Sequence, residues 1–536
     1  MPFTNCLTGG LQEYVPSPSK PWNEQRIHHL YNKLCNGAPL SLIRTAKFNT
    51  PSYIIDYLLG EAKKHPLPGQ KVSGAFETFD YTFDFAEENT FNPNGSVTYY
   101  KYFELVQMWF NGMVREGVRH KLALFWSNHF VTSADVYGNY PTWAFQYYFI
   151  LHKHALGNFK EFVMDMGLTP AMLYYLDGWL NIKQAPNENY ARELLELFTM
   201  GEGHYTETDI EEVAKALTGW RLFSYRNNTS YIEPNKYSNL VSKYDTYFFN
   251  KNLHNFGRKQ IFGKSFTPTV QTDGIPDYKF VHDTIFNERK NEIARFICTK
   301  LYKFYLYEFP PAEIIDGLAQ VFISSNWSIM EVLKTLFKSE HFFEEASMGI
   351  GIKSHIDNLI HFYRSLDLKV NADYFLYDWQ RKTPTANTKN LDAIGAFYYQ
   401  AGNLGQSLFN PINVAGWPGY RAWLSEFSLV NRWKYNRDQI DYYLAYPETK
   451  EKYRSFLKVL TTSSKDPEFI VRKVIEYFIT QSIPEEIIQS AVSVFKSPVP
   501  NNYFLDGTWS LDHSEVPRQF TGLMKYITTL PEFQLI

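Results

Sequence analysis

The sequence predicts a mainly α protein, a large multi-helical body with long loops. Apolar residues recur at helical spacing along most of its 536 residues. Capping residues stand at the heads of those periods and glycines near their ends. The helical period lapses only in a few polar tracts, one of which, residues 224–276, reads as a long loop or a short β excursion.

Residues 1–22, rich in Pro, Ser and Gly, read as an N-terminal arm. A helical domain follows over 23–223, with Ile27, Leu30, Tyr31 and Leu34 on its first apolar face and a polar break at 65–96. From Tyr99 to Phe130 the apolar period predicts two helices divided near Gly117. Further along come the long loop region 224–277, a helical unit over 278–400, a Gly/Pro/Trp loop over 401–423 and a C-terminal helical unit over 424–536. The last two helical stretches share a pattern: Pro311-Ala-Glu-Ile-Ile with Val321-Phe322 aligns with Pro484-Glu-Glu-Ile-Ile with Val494-Phe495. Pro heads a helix without losing a needed N–H, so the pattern predicts a duplicated helical unit in the C-terminal half.

With 53 basic and 56 acidic residues the net charge is -3, which gives no global field toward phosphate backbones or anionic membranes. Nucleic-acid binding is not expected. No apolar run approaches the ~18 residues needed to span a bilayer. No secretory leader is legible at the start, so the expected location is cytoplasmic, with periplasmic residence by co-export beside a signal-bearing partner as the alternative. Cys6, Cys35 and Cys298 form no paired framework. The aromatic content of 18% supplies bulky packing area or, in part, a sugar- or peptide-binding face.

The most distinctive stretch runs from Asn187 to Trp220. Asn187 suits an N-cap and Gly201 a left-handed C-terminal position, which predicts a helix of about three turns. Its polar arc carries Glu188, Asn189, Arg192, Glu193 and Glu196. That arc is either a solvated face with Glu188–Arg192 and Arg192–Glu196 pairs, or the wall of a cleft in which burial raises a glutamate pKa. Thr206 and Asp209 form a capping box for a second helix with Ile210, Val213, Leu217 and Trp220 on its stripe. The turn between them presents His204 and Tyr205, which a hairpin does not require.

The string Pro186-Asn-Glu-Asn-Tyr-Ala-Arg-Glu-Leu-Leu-Glu-Leu-Phe-Thr-Met-Gly201, with the following Gly-His-Tyr-Thr-Glu-Thr-Asp and Ala-Leu-Thr-Gly-Trp, resembles the hallmark of a bacterial family, domain of unknown function 1800. Phe125-Trp-Ser-Asn-His-Phe130, Pro170–Asp177, the loop Gly405–Gly419 and the terminal Leu-Pro-Glu-Phe-Gln are similar to its other motifs, so the resemblance covers nearly the whole chain. The family has no established activity. The resemblance implies a partner, because members are mainly known for being encoded beside the domain of unknown function 1501 family, which resembles alkaline-phosphatase-type hydrolases. Members often carry His where Ser127 stands and Asp where Asn255 stands. Both are potential ligands, so a metal is the weaker expectation, and no metal ligand or cofactor is assigned.

Two functional expectations follow. In one, the protein is a hydrolase or lyase acting on an anionic or polyhydroxy substrate. Glu193, Glu196, His204 and His129 are then the catalytic candidates, and Arg192, Tyr205, His254, Lys259 and Trp417 the substrate-binding ones. In the other, the same residues are caps and interface anchors, and the protein is a non-catalytic partner or scaffold for the phosphatase-like neighbour. No nucleotide-binding loop or Gly-x-Ser-x-Gly elbow is present, Ser407 included.

Overall fold

The computed structural model describes residues 9–68, 96–137, 140–224, 245–268, 273–368, 377–378, 383–384 and 388–536. Cys6, most of the polar break at 65–96 and residues 225–244 and 269–272 of the long loop region lie outside them. The described chain is mainly helical. Its first part comprises α1 (Glu24–Cys35), α2 (Leu40–Ala46), α3 (Pro51–Lys64), α4 (Ser96–Arg115), α5 (Val118–His129), α6 (Pro141–His154), α7 (Phe159–Gly167) and α8 (Pro170–Tyr175). The hallmark stretch gives α9 (Asn189–Glu196) and α10 (Glu207–Ala216).

A β excursion follows. Strand β1 (Trp220–Ser224) pairs antiparallel with β2 (Asp245–Phe249), and β3 (Lys259–Ile261) with β4 (Lys264–Phe266). Helices resume with α11 (Ile275–Glu288), α12 (Lys290–Tyr305), α13 (Ala312–Ser324), α14 (Ile329–Lys338) and α15 (His355–Ser365). The last part holds α16 (Thr388–Asn403), α17 (Glu426–Leu444), α18 (Pro447–Thr461), α19 (Pro467–Phe478), α20 (Glu485–Lys496) and α21 (Val516–Ile527).

Local chemistry explains the starts. Asn23, Thr50 and Asn158 accept a backbone N–H from the first turns of α1, α3 and α7. Thr206 with Asp209, and Ser354 with Asp357, close reciprocal capping boxes on α10 and α15. Gly117 turns the chain between α4 and α5 at φ +84°. Pro311 and Pro484 head α13 and α20, and each of these helices packs against the one before it, α12 and α19 respectively. Trp220 does not extend the stripe of α10: the helix ends at Ala216, and Gly219, at φ +96°, turns the chain so that Trp220 opens β1.

The core runs through α4, α5 and α6, with Trp109, Trp126 and Trp143 fully enclosed. Three helices are buried on nearly every face. From Arg26 to Cys35 every residue of α1 is buried, α5 leaves only Asn128 partly exposed, and all of α15 is inside. A helix buried all round has no solvent side on which to place its charges. Lys33, Lys121 and Asp357 are therefore carried into the interior, where partners must replace water.

Candidate functional site: a lysine-lined cavity

These interior charges surround a cavity of about 330 Å³. Lys33 of α1, Lys121, Asn128 and His129 of α5, Lys300 of α12 and Asp357 of α15 line it, with Trp417, Tyr420 and Trp423 of the Gly/Pro/Trp loop on another wall. A volume of this order suits a small molecule.

Each lysine is solvated mainly by backbone. The Lys33 ammonium donates to the carbonyl of Leu306 at the end of α12 (3.1 Å). A side chain at Gly351 would place its Cβ 2.7 Å from that nitrogen, so the missing side chain makes room for it. Lys121 donates to the Asn32 carbonyl (3.2 Å) and stands 3.5 Å from Asp357 Oδ1. Asp357 spends its other oxygen on the Ser354 backbone N–H. Lys300 donates to the Leu197 carbonyl and to His129 Nδ1, both at 3.3 Å, and has no carboxylate partner among the described residues. Only Lys303, paired with Glu308 at 2.6 Å, has its charge answered in the ordinary surface way.

The electrostatics follow from burial. Removal from water, with Lys121 adding repulsion, brings the Lys33 amine down to about 7 against the pull of Asp357. Burial lowers Lys121 in the same direction, partly offset by Asp357. Burial alone brings Lys300 to about 8. Asp357 is held below the usual carboxylate range: burial works to raise it, and Lys121 and the Ser354 cap outweigh that. His129 is kept neutral by burial and by Lys300 beside it. Its Nε2–H donates to the Phe198 carbonyl (3.0 Å), which leaves Nδ1 as the acceptor for Lys300.

The segments that carry the family resemblance meet here. Asn128 clasps the Gly/Pro/Trp loop, accepting the Trp417 N–H at 2.5 Å and donating to the Trp417 carbonyl at 3.2 Å. Gly416 permits that approach, since its φ is +84° and a Cβ there would lie 2.2 Å from Asn128 Oδ1. His129 and Lys300 bind the Phe198 and Leu197 carbonyls just past the hallmark helix α9, satisfying acceptors that a helix end leaves open. Ile536, just beyond the terminal motif, also lines the cavity. The family described as proteins of unknown function, DUF1800, matches residues 29–535. The chain belongs to that family. Comparison with curated proteins and with solved structures finds no match.

Of the residues nominated from sequence, His129 and Trp417 line this DUF1800 cavity, and the others do not. Arg192 makes a bidentate pair with Glu207 of α10 (3.0 and 2.7 Å) and a second with Glu188 (3.3 Å). Its expected partner Glu196 instead accepts the Tyr205 hydroxyl, which ties the turn back onto α9. Glu193 is half-buried, and burial, followed by the charge of Glu196, raises its pKa against the effect of Arg192. His204 is exposed, its backbone carbonyl holding Arg289 (2.8 Å).

His254 and Lys259 lie inside the packing of the β excursion. Both are 1% exposed and both stand 3.3 Å from Asp277 of α11. His254 Nδ1 is also bonded to the Thr218 carbonyl (2.7 Å). Asn187 accepts the Asn189 N–H, so it caps α9 from one residue outside the expected position. Sequence reasoning missed Lys33, Lys121, Lys300 and Asp357. A signal was available for Lys121 alone, whose helix α5 has apolar residues on every side and no clear polar face.

No group of three or more His, Cys, Asp or Glu side chains among the described residues is arranged to hold a metal ion. No helix among them is long and apolar enough to cross a membrane.

Proposed function

We propose that the protein binds a small organic anion in the Lys33–Lys121–Lys300 cavity and acts on it as a lyase or hydrolase, with the lysine amines as the proton-transfer groups. The carrying observation is a cavity wall of three buried or partly buried lysines answered, among the described residues, by a single close carboxylate, that of Asp357. Burying ammonium groups without counter-charges costs stability, and an anion would recover it. Trp417 adds a buried indole N–H with no acceptor among the described residues, a donor suited to a ligand oxygen. Amines brought near neutrality by burial exchange protons at physiological pH, as general acid–base catalysis requires.

Titration calorimetry with inorganic phosphate and with a panel of small mono- and dicarboxylates tests this. The reading expects at least one anion to bind the wild type, and binding to be lost in Lys33→Met and Lys121→Met. Absence of binding by every anion, or binding unchanged in both variants, would overturn it.

A second reading has its own support. At the start of α17, Phe427 and Val430, three residues apart on one helix face, are 63% and 58% exposed, an apolar surface suited to a protein partner. Under this reading the phosphatase-like neighbour implied by the family resemblance docks there. Phe427→Asp with Val430→Asp would abolish co-purification of the two proteins while leaving anion binding intact. Co-purification that survives the double substitution would count against it.

A further inference from the structure

The cavity has two differently equipped ends. Asp357 acts on both Lys33 and Lys121, whereas it is not among the groups that perturb Lys300. Lys300 is bonded to His129, its nitrogen 3.3 Å from Nδ1, and no carboxylate among the described residues holds it as an ammonium. A ligand seated with its negative group on the Lys33–Lys121 pair would present its other end toward Lys300.

We infer that Lys300 is a covalent attachment point, forming an imine with a carbonyl-bearing anion such as a 2-oxo acid or an aldehyde acid. The inference rests on the anion-binding reading above and names the substrate class for that site. The neutral amine adds to the carbonyl carbon, a C–N bond forms and the C=O π pair moves to oxygen. The two amine protons then leave with that oxygen as water, and the nitrogen lone pair completes the C=N bond. Nothing is oxidised or reduced. Only a neutral lysine can begin this sequence, and burial supplies a neutral fraction at physiological pH that an exposed lysine lacks. His129 is a positioning residue: with Nε2–H committed to the Phe198 carbonyl, its Nδ1 accepts from the amine and fixes where it points.

The test uses the full-length chain with glyoxylate and cyanoborohydride at neutral pH, with propionaldehyde as the uncharged comparison, read by peptide mapping. Cyanoborohydride delivers hydride to the imine carbon, the nitrogen takes a proton, and the adduct becomes permanent. Glyoxylate is expected to label Lys300 over exposed lysines by on the order of tenfold or more, reflecting its larger neutral fraction. Lys33→Met should lower glyoxylate labelling at Lys300 several-fold without changing propionaldehyde labelling. Lys300→Arg, which keeps a cation in place and whose fold is checked by circular dichroism, should carry no adduct at that position.

Labelling of Lys300 no greater than that of exposed lysines, in a protein that still binds anions by calorimetry, would overturn the imine and leave the anion site standing. Absence of both anion binding and selective labelling would overturn the two together.

Discussion

The hallmark hairpin and the lysine cavity use charge in opposite ways. On the hairpin, Arg192 is 37% exposed and faces Glu188 and Glu207 at 42% and 71% exposure, so water and two carboxylates share its solvation. In the cavity, Lys33 and Lys121 are 2% and 3% exposed and rely on carbonyl oxygens and on Asp357. Exposed pairs contribute little to stability, whereas a buried ion is costly unless fully answered. The denser charge pattern in the sequence therefore contributes the less to stability. The hairpin's tie to the cavity is its backbone: the Leu197 and Phe198 carbonyls hold Lys300 and His129.

Acid is expected to have the largest effect. Burial depresses His28 and His282 to about 4, and lowers His29, His129, His152 and His361 well below the ordinary value. The folded chain therefore binds fewer protons than the unfolded one. The stability these groups contribute is present above the unfolded histidine value of about 6.5 and is lost as pH falls toward the folded values. Between pH 8 and pH 5 the loss is on the order of 2 kcal/mol for each of His28 and His282, as linkage requires. Denaturant unfolding across that range should show a steep decline, and a flat profile would contradict the buried, neutral histidines. The depressed lysines act in the same sense at higher pH, their contribution falling as pH drops from the ordinary lysine value toward about 7 for Lys33 and about 8 for Lys300.

Removing the answering carboxylate comes next. Asp357→Ala strips the counter-charge from Lys121 and opens the α15 cap, and is expected to cost about 3–5 kcal/mol, as when one member of a buried pair is lost. Urea unfolding at neutral pH measures it. Lys33→Met has the opposite sign: replacing a poorly answered buried cation by an apolar chain of similar length is expected to stabilise the fold by about 1–3 kcal/mol. The same change should abolish anion binding. A gain in stability joined to a loss of binding is the signature of a site maintained for function. The smallest effects belong to the hairpin, where Arg192→Ala, and Glu193→Gln with His204→Ala, should leave both the unfolding midpoint and anion affinity nearly unchanged. A selective loss of binding in either would return the hairpin's polar face to the site.

Much of the fold was legible because it rests on local rules. The Thr206–Asp209 box, the break at Gly117 and the Pro-headed helices at 311 and 484 are set by neighbours in sequence. Trp220 was misplaced because helical spacing continues through Gly219, and only the positive φ there shows that the helix has ended. The Arg192–Glu207 pair crosses the turn between two helices, so no i,i+4 rule finds it.

The site was mostly hidden for a different reason. His129 and Trp417 were reached through motifs, but a lysine in a helical pattern is read as a solvent-facing residue. That reading fails for Lys33 and Lys121 because α1 and α5 are packed on almost every side by elements distant in sequence.

The central claim is that Lys33 is held mainly uncharged at pH 8 for want of a counter-ion and takes up a proton when one arrives. Titration calorimetry of a bound anion at pH 8, repeated in buffers of differing ionisation enthalpy, measures this directly. The account predicts net proton uptake of up to about one per anion, because Lys33, at about 7 in the empty cavity, is driven back to the ammonium form. An anion that binds with heat independent of buffer would contradict the account.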